Sequence, residues 1–455
     1  MLQKITEFIN GGNVRSVKTR KNIILSFGVK GISMIIGFLM IRIVLDYLDQ
    51  VNYGIWLTLS SFLTWFTFFE IGLGSGLRNK LAEALALKNY KLAKNYVSTT
   101  YFILTIIILI ISLLFFTLNY FIDWTLILNV DDSMSKVLNN LALIVFGLFF
   151  IQFVFKLITV ILYADQRPAL ANSIGPLGNL ISLLIIYTLT KTTNGSLIYL
   201  GITLSIVPIF VLTCFSIFLY QTDYKKIRPS FRYVKIKYAH SLMSLGAKFF
   251  IIQISALILF QSSNIIIAQY FGPAEVTAYN IAYKYFGIIN MIFAIIMIPH
   301  WSAFTDAWVK KEIFWIKSTI RKLQKIWILL TIFSIVLLLI STFAFEFWIG
   351  KSKMEDIIIP ISLKYSLSIF FLLFTYGGIF NMFINGTGKV KVQMVSLLLG
   401  SLIFVPLSIL LIKYSSLGIS SVVVSSIIAN FYLPIIAPIQ YNKLISGKAV
   451  GLWNK

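Results

Sequence analysis

Five cations lie where cations are costly. Lys30, Arg42, Lys156, Lys284 and Lys364 fall inside long apolar runs, whereas the remaining Lys and Arg residues fall between them. An ionisable side chain within a hydrocarbon-spanning helix normally faces a partner or a wet cavity, so each is a candidate for holding an anion. Neighbours at helical spacing show which face is polar. Ser26, Lys30, Ser33 and Gly37 share one stripe; Gln152, Lys156, Thr159 and Tyr163 repeat its spacing, and Asn280, Lys284 and Gly287 follow it more briefly. Gln253, Gln261, Asn264 and Ala268 line one side of another run. Thr64, Thr67, Glu70 and Gly74 mark a further stripe, as do Gly378, Asn381 and Asn385. The candidate binding set is therefore Lys30, Glu70, Lys156, Lys284, Gln152, Gln253, Asn264, Asn280 and Asn381. Lysine supplies a point charge, and the amides can both donate and accept hydrogen bonds.

The alternatives differ by residue. Lys30, Glu70 and Lys156 fall at matching depths and form one expected cluster, although Lys30 with Glu70 reads equally as a packed ion pair. Arg42 stands four residues before Asp46 and can reach outward, and Lys364 lies at a helix end, so both read as helix-end chemistry. Lys156 and Lys284 have no nearby acid in sequence and read as facing a ligand.

The elements that position these stripes are membrane spans. An apolar helix of about 20 residues crosses the ~30 Å hydrocarbon layer. Twelve such runs occur, at 22–46, 52–77, 96–120, 138–164, 170–190, 197–219, 248–271, 276–300, 325–349, 362–386, 392–413 and 417–440. Hydrophobic residues make up 58% of the chain and charged residues only 12%. The short alternating segments of a membrane β-barrel are missing. The expected fold is an all-α polytopic membrane protein: twelve transmembrane helices in two six-helix lobes, related by a parallel repeat around a central cavity. The expected divisions are an N-terminal amphipathic segment (1–21), a six-helix lobe (22–219), a linker (220–247), a second six-helix lobe (248–440) and a tail (441–455). The halves share a pattern of span, basic amphipathic stretch and span. Stretches 1–20, 79–95 and 303–325 are expected to lie on the inner membrane surface.

Charge sets orientation. Of the 39 Lys and Arg residues, 29 occupy every second gap between spans, and the alternate gaps hold five. By the positive-inside tendency both termini are cytoplasmic and the number of spans is even. Retention beside anionic lipid accounts for the net charge of +23 without a nucleic-acid partner.

Other functions find little support. His240 and His300 lack a nucleophile or ligand cluster, so neither an enzyme site nor a metal site is legible. No GxxxxGK[ST] loop occurs, no cofactor is implied, and no cleavable signal precedes the first span. Cys214 is the only cysteine; it excludes internal disulfides and reads as a small buried residue.

Three segments together resemble a known family. Phe69-Glu70-Ile71-Gly72-Leu73-Gly74-Ser75-Gly76-Leu77-Arg78-Asn79-Lys80-Leu81 resembles the end of the second span in polysaccharide (O-antigen-type) flippases. Tyr270-Phe271-Gly272-Pro273-Ala274-Glu275-Val276, followed by Tyr279-Asn280-Ile281-Ala282-Tyr283-Lys284, is similar to the start of their second half. Asn385-Gly386-Thr387-Gly388-Lys389-Val390-Lys391 resembles a turn late in that half. The family belongs to the multidrug/oligosaccharidyl-lipid/polysaccharide exporter superfamily. The resemblance implies a lipid-linked oligosaccharide carried on polyprenyl diphosphate, moved from the inner to the outer leaflet of a bacterial cytoplasmic membrane by alternating access. Polysaccharide polymerase or assembly proteins are the protein partners it implies. A drug or organic-ion exporter of the same superfamily is the alternative, but a cationic drug calls for buried carboxylates, and Glu70 is the only acid well inside a span.

Overall fold

Backbone polar groups inside a membrane must be satisfied within the segment, and a continuous helix does this. The computed structural model describes residues 14–66, 73–165, 167–239, 254–255, 257–259, 261–297, 300, 304, 307–308 and 310–454; these are helical throughout, with short turns and no strand. Among them, nine helices are long and apolar enough to cross a membrane: Gly28–Tyr47, Tyr90–Asn119, Asp132–Ala164, Pro168–Thr192, Leu197–Gln221, Ile313–Leu339, Ile361–Thr387, Lys391–Tyr414 and Ser420–Ile445. Their outer faces are apolar. Leu113 is 66% exposed, Leu339 76% and Leu402 66%, a surface that water would penalise and hydrocarbon would not. The expected runs 52–77, 248–271 and 276–300 fall on shorter described helices, among them Gln50–Phe66, Ser263–Phe271, Pro273–Phe286 and Ile288–Met297.

Helix ends follow local chemistry. The Tyr90–Asn119 helix starts at Asn89, whose side chain accepts the Leu92 N–H at 3.0 Å, directly after Lys88 turns the chain at φ 54°. Pro168 opens the next-but-one long helix at a position where its missing N–H costs nothing. Gly272 adopts φ 88°, which a side chain resists, and Pro273 then begins a new helix.

Three expectations change. The basic stretch that ends at residue 325 is not a separate surface helix over its last thirteen positions, because the Ile313–Leu339 helix is continuous through 27 residues. Residues 90–95 likewise belong to the long Tyr90–Asn119 helix. Unbroken backbone bonding favours one helix in each place, and the long basic side chains can reach the interface from its first turns. Cys214 is exposed on the Leu197–Gln221 helix, not buried, since a small apolar group can face lipid freely.

The chain forms two compact units. The first comprises Met1–Asp49, Phe66–Thr125 and Asp131–Phe250. Within it the Val14–Tyr47 helix packs along Pro168–Thr192, and Leu197–Gln221 packs on Ser135–Phe155. The segment after Gln221 is tied to the start of the Tyr90–Asn119 helix. The Thr99 hydroxyl accepts the Lys235 N–H at 2.9 Å, the Ser98 hydroxyl accepts that of Ser230 at 3.1 Å, and the Tyr96 and Tyr238 rings meet edge-on.

The second unit comprises Gln50–Trp65, Leu126–Val130 and Ile251–Lys455. The early helix Gln50–Phe66 is held by residues more than 200 positions away. The Gln50 amide donates to the Ala274 carbonyl at 3.0 Å, and the Thr277 hydroxyl donates to the Gln50 carbonyl at 2.7 Å. Gly54 makes this approach possible, because a Cβ there would lie 1.7 Å from the Pro273 oxygen. Gly377 admits Leu433 in the same way, with its oxygen 2.1 Å from a notional Cβ. That contact adjoins a π-helical turn, Tyr432–Ile436, centred on Pro434. Proline lacks the N–H that regular α-helix bonding needs, and the wider turn absorbs the defect. An aromatic core that includes Phe293, Phe304, Phe380, Phe383, Tyr432 and Tyr441 fills this unit.

Candidate functional site

The stripe containing Lys156 opens into a cavity inside the first unit. Gln152, Lys156, Thr159 and Tyr163 all line a space of about 370 Å³, facing Asn172, Gly175, Gly178 and Asn179 of the next helix and Pro208 and Leu212 beyond. Within the Asp132–Ala164 span the helix tightens at Lys156, between Ser135–Phe155 and Leu157–Ala164. The Lys156 N–H still reaches the Gln152 carbonyl at 3.0 Å, but its own carbonyl takes the Thr159 N–H at 2.9 Å and the Thr159 hydroxyl at 2.8 Å. That tight turn leaves the lysine side chain exposed to the cavity.

The opposite wall is open because of its small residues. Gly175 would meet nothing within 4 Å if given a Cβ, so the space beside it is real volume. Asn172 is oriented by Tyr163, whose hydroxyl donates to its carbonyl oxygen at 2.6 Å. The Arg78 guanidinium stands 5.2 Å from the Tyr163 ring centre, outside the cavity lining. Among the described residues lining the cavity, Lys156 is the one charged group and no carboxylate faces it. A single cation with amides and a phenol around it suits a polar anion, since the charge has no internal counter-ion to displace.

A clasp closes the chain below this cavity. Arg167 pairs with Asp165 at 2.9 Å and with Asp223, while the Tyr224 hydroxyl donates to Asp165 at 2.9 Å. The hydrogen bond to Asp223 raises the Arg167 pKa further. Burial pushes the Tyr224 phenol up, and the Asp165 carboxylate adds to the effect.

The other candidates lie elsewhere. Lys30 is exposed on the Val14–Tyr47 helix and does not line the Lys156 cavity. Lys284 lies in the second unit, half-buried, three residues before the turn at Gly287 between Pro273–Phe286 and Ile288–Met297. Two of the in-span lysines thus sit at or near a tightened helical turn, which the apolar pattern did not reveal. Asn264 and Asn280 come together: the Asn280 amide donates to the Asn264 oxygen at 2.8 Å, and the Asn264 amide to the Ser61 hydroxyl at 2.8 Å. Much of their hydrogen-bonding capacity therefore joins helices. Asn381 accepts the Tyr432 hydroxyl at 3.0 Å. Glu70 and Gln253 lie outside the described residues. Lys364 donates to the Thr342 hydroxyl at 3.0 Å and stands 5.5 Å from the Phe345 ring centre, in keeping with helix-end chemistry.

Sequence reasoning overlooked Asn172, Gly175, Gly178 and Asn179. Their spacing was a usable signal, because steps of three and four residues put polar and small groups on one helical face.

The fold is that of a polytopic helical membrane protein, with a cation-bearing cavity inside its first unit. Residues 19–300, more than half of the chain, match the family model described as polysaccharide biosynthesis protein. The chain belongs to that family, as the resemblance to polysaccharide flippases implied. A protein named for O-antigen export in Yersinia pseudotuberculosis is 23% identical over 80% of this chain and 83% of its own length. One named as an O-antigen transporter in Salmonella typhi is 23% identical over 63% of each chain. Among solved structures, the inward-facing conformation of a multidrug resistance MATE family transporter of the MOP superfamily gives a TM-score of 0.73. It is 15% identical, with 94% of this chain and 98% of that one covered, a likeness of fold.

Proposed function

We propose that this protein is a flippase that carries a polyprenyl-diphosphate-linked oligosaccharide from the inner to the outer leaflet of the bacterial cytoplasmic membrane. In this reading twelve spans form two lobes that alternate access to the two sides, with both termini cytoplasmic. The observation that carries it is the Lys156 cavity, with its lone cation, amides and phenol and no lining acid among the described residues. A sugar-bearing diphosphate loses water at every charge and hydroxyl on entering hydrocarbon, and such a lining replaces part of that water. The prenyl chain stays in lipid. Lys30 and Lys284, with Glu70, Gln152, Gln253, Asn264, Asn280 and Asn381, complete the proposed path. Family membership and the O-antigen names of the relatives support the same substrate class. An organic-cation exporter would be poorly served by this cavity, because Lys156 repels the cargo.

The test is to replace Lys156 by Gln and by Arg in cells that depend on the protein for surface glycan. A phosphate charge about 4 Å from the ammonium contributes about 4 kcal/mol at an effective dielectric of 20. Because Lys156 is exposed, screening reduces this to about 1 kcal/mol, a change of about fivefold. Lys156→Gln should lower export by that factor and accumulate lipid-linked intermediate, with Lys156→Arg recovering most of it. Normal export by Lys156→Gln at normal expression would remove the cavity from the mechanism. A knockout that accumulates no lipid-linked intermediate would remove the flippase reading.

A further inference from the structure

A second cleft, in the second unit and remote in sequence from the Lys156 cavity, has chemistry that the transport path does not use. It encloses about 350 Å³ and is lined from three helices. Lys317, Ile320, Arg321 and Gln324 come from the first turns of Ile313–Leu339, at steps of three and four residues that share one face. Pro438, Tyr441, Asn442 and Ile445 present the same spacing from Ala437–Ile445, and Tyr376 with Phe380 forms the floor from Ile361–Thr387. The floor is rigid, because Trp327, Tyr376, Phe380 and Tyr441 form a continuous chain of ring contacts with centroids 5.1–5.3 Å apart. The π-turn at Tyr432–Ile436 shifts the phase of the last helix and sets which of its residues face inward.

The donors converge. An ammonium, a guanidinium, two amides and two phenols line this volume, and no carboxylate does so among the described residues. Arg321 and Tyr441 line the same cleft from facing helices. Lys322 and Lys325 on the same helix add to the positive field. Phosphate is the anion that fits, since arginine offers it a fork and lysine a point charge. Ile320, Phe380 and Ile445 beside the cations give the cleft an apolar side as well. That pairing suits an amphiphile whose headgroup is anionic and whose first carbons need cover.

We propose that this cleft binds a phosphate headgroup, on the membrane face that the charge pattern assigns to the cytoplasm. Occupancy would pin Ile313–Leu339 to Ala437–Ile445, and the occupant is a resident anion separate from the transported cargo.

The full-length protein in phosphatidylcholine nanodiscs provides the test, with brominated phosphatidylglycerol as one probe and inorganic diphosphate as the other. Bound brominated lipid should quench the nearby tryptophan Trp327. The Lys317→Gln/Arg321→Gln double variant should need at least about fivefold more phosphatidylglycerol for half-quenching, and Arg321→Lys should restore part of it. Its melting temperature in pure phosphatidylcholine should match the parent, which separates lost binding from lost folding. Competition by inorganic diphosphate would assign the site to a free anion, and quenching unaffected by it to a lipid headgroup. Equal quenching curves for parent and double variant, with no effect of diphosphate on either, would overturn the proposal. Export carried by Lys156 is not read in this assay, so the two ideas fail independently.

Discussion

Replacing Gly54 by Ala adds one methyl group at the tightest glycine contact in the described structure. The new Cβ would fall 1.7 Å from the Pro273 oxygen, 2.5 Å from its carbonyl carbon and 3.1 Å from its Cα. All three are backbone atoms, so no side chain can swing aside. Relief requires the Gln50–Phe66 helix to move away by roughly 1.5 Å, and overpacking of this kind costs about 1–3 kcal/mol. The movement also stretches the Gln50–Ala274, Thr277–Gln50 and Asn264–Ser61 hydrogen bonds, now 3.0, 2.7 and 2.8 Å, past useful length. At about 1 kcal/mol each, the total falls near 4–6 kcal/mol. For a chain of this size a melting temperature lower by about 5 °C is expected, read from tryptophan fluorescence of purified protein in detergent. Gly31→Ala is the control, since nothing lies within 4 Å of a Cβ there. It sits inside the Val14–Tyr47 helix, where alanine is the better helix former, so it should be neutral or slightly stabilising. Equal melting temperatures for Gly54→Ala and Gly31→Ala would refute the claim that Gly54 exists to let Pro273 in.

Further outcomes follow from the same contacts. Gly377→Ala brings a Cβ to 2.1 Å from the Leu433 oxygen and should destabilise by a similar margin in the same melt. Asn264→Leu leaves the Asn280 amide and the Ser61 hydroxyl without this partner, at a cost of about 1–3 kcal/mol; an unchanged melting temperature would refute the network. Tyr224 has a folded-state pKa above its ordinary 10.0, so its contribution is complete below that value and fades as pH rises beyond it. Tyr224→Phe should therefore melt below the parent at neutral pH, and the gap should narrow above pH 10.0. A gap of constant width would remove Tyr224 from the clasp.

The long apolar runs were legible because a membrane imposes one rule on every position of a helix. The runs 170–190, 197–219 and 362–386 correspond to Pro168–Thr192, Leu197–Gln221 and Ile361–Thr387. The basic stretches were harder. Composition at 313–325 suits a surface helix, yet the backbone continues into the span, and no local charge decides where a helix stops. The spacing of Gln152, Lys156, Thr159 and Tyr163 likewise marked a shared face without naming what lies opposite.

The sequence by itself determined a polytopic helical membrane protein, its expected sidedness and the few cations that depart from the rule. Those follow from hydrophobicity and charge, which act residue by residue. Only the tertiary structure decided that Lys156 faces Asn172 and Asn179, and that Gly54 belongs against Pro273. Both depend on which backbones can approach closely. That is a property of pairs of helices distant in sequence, and no single run carries it.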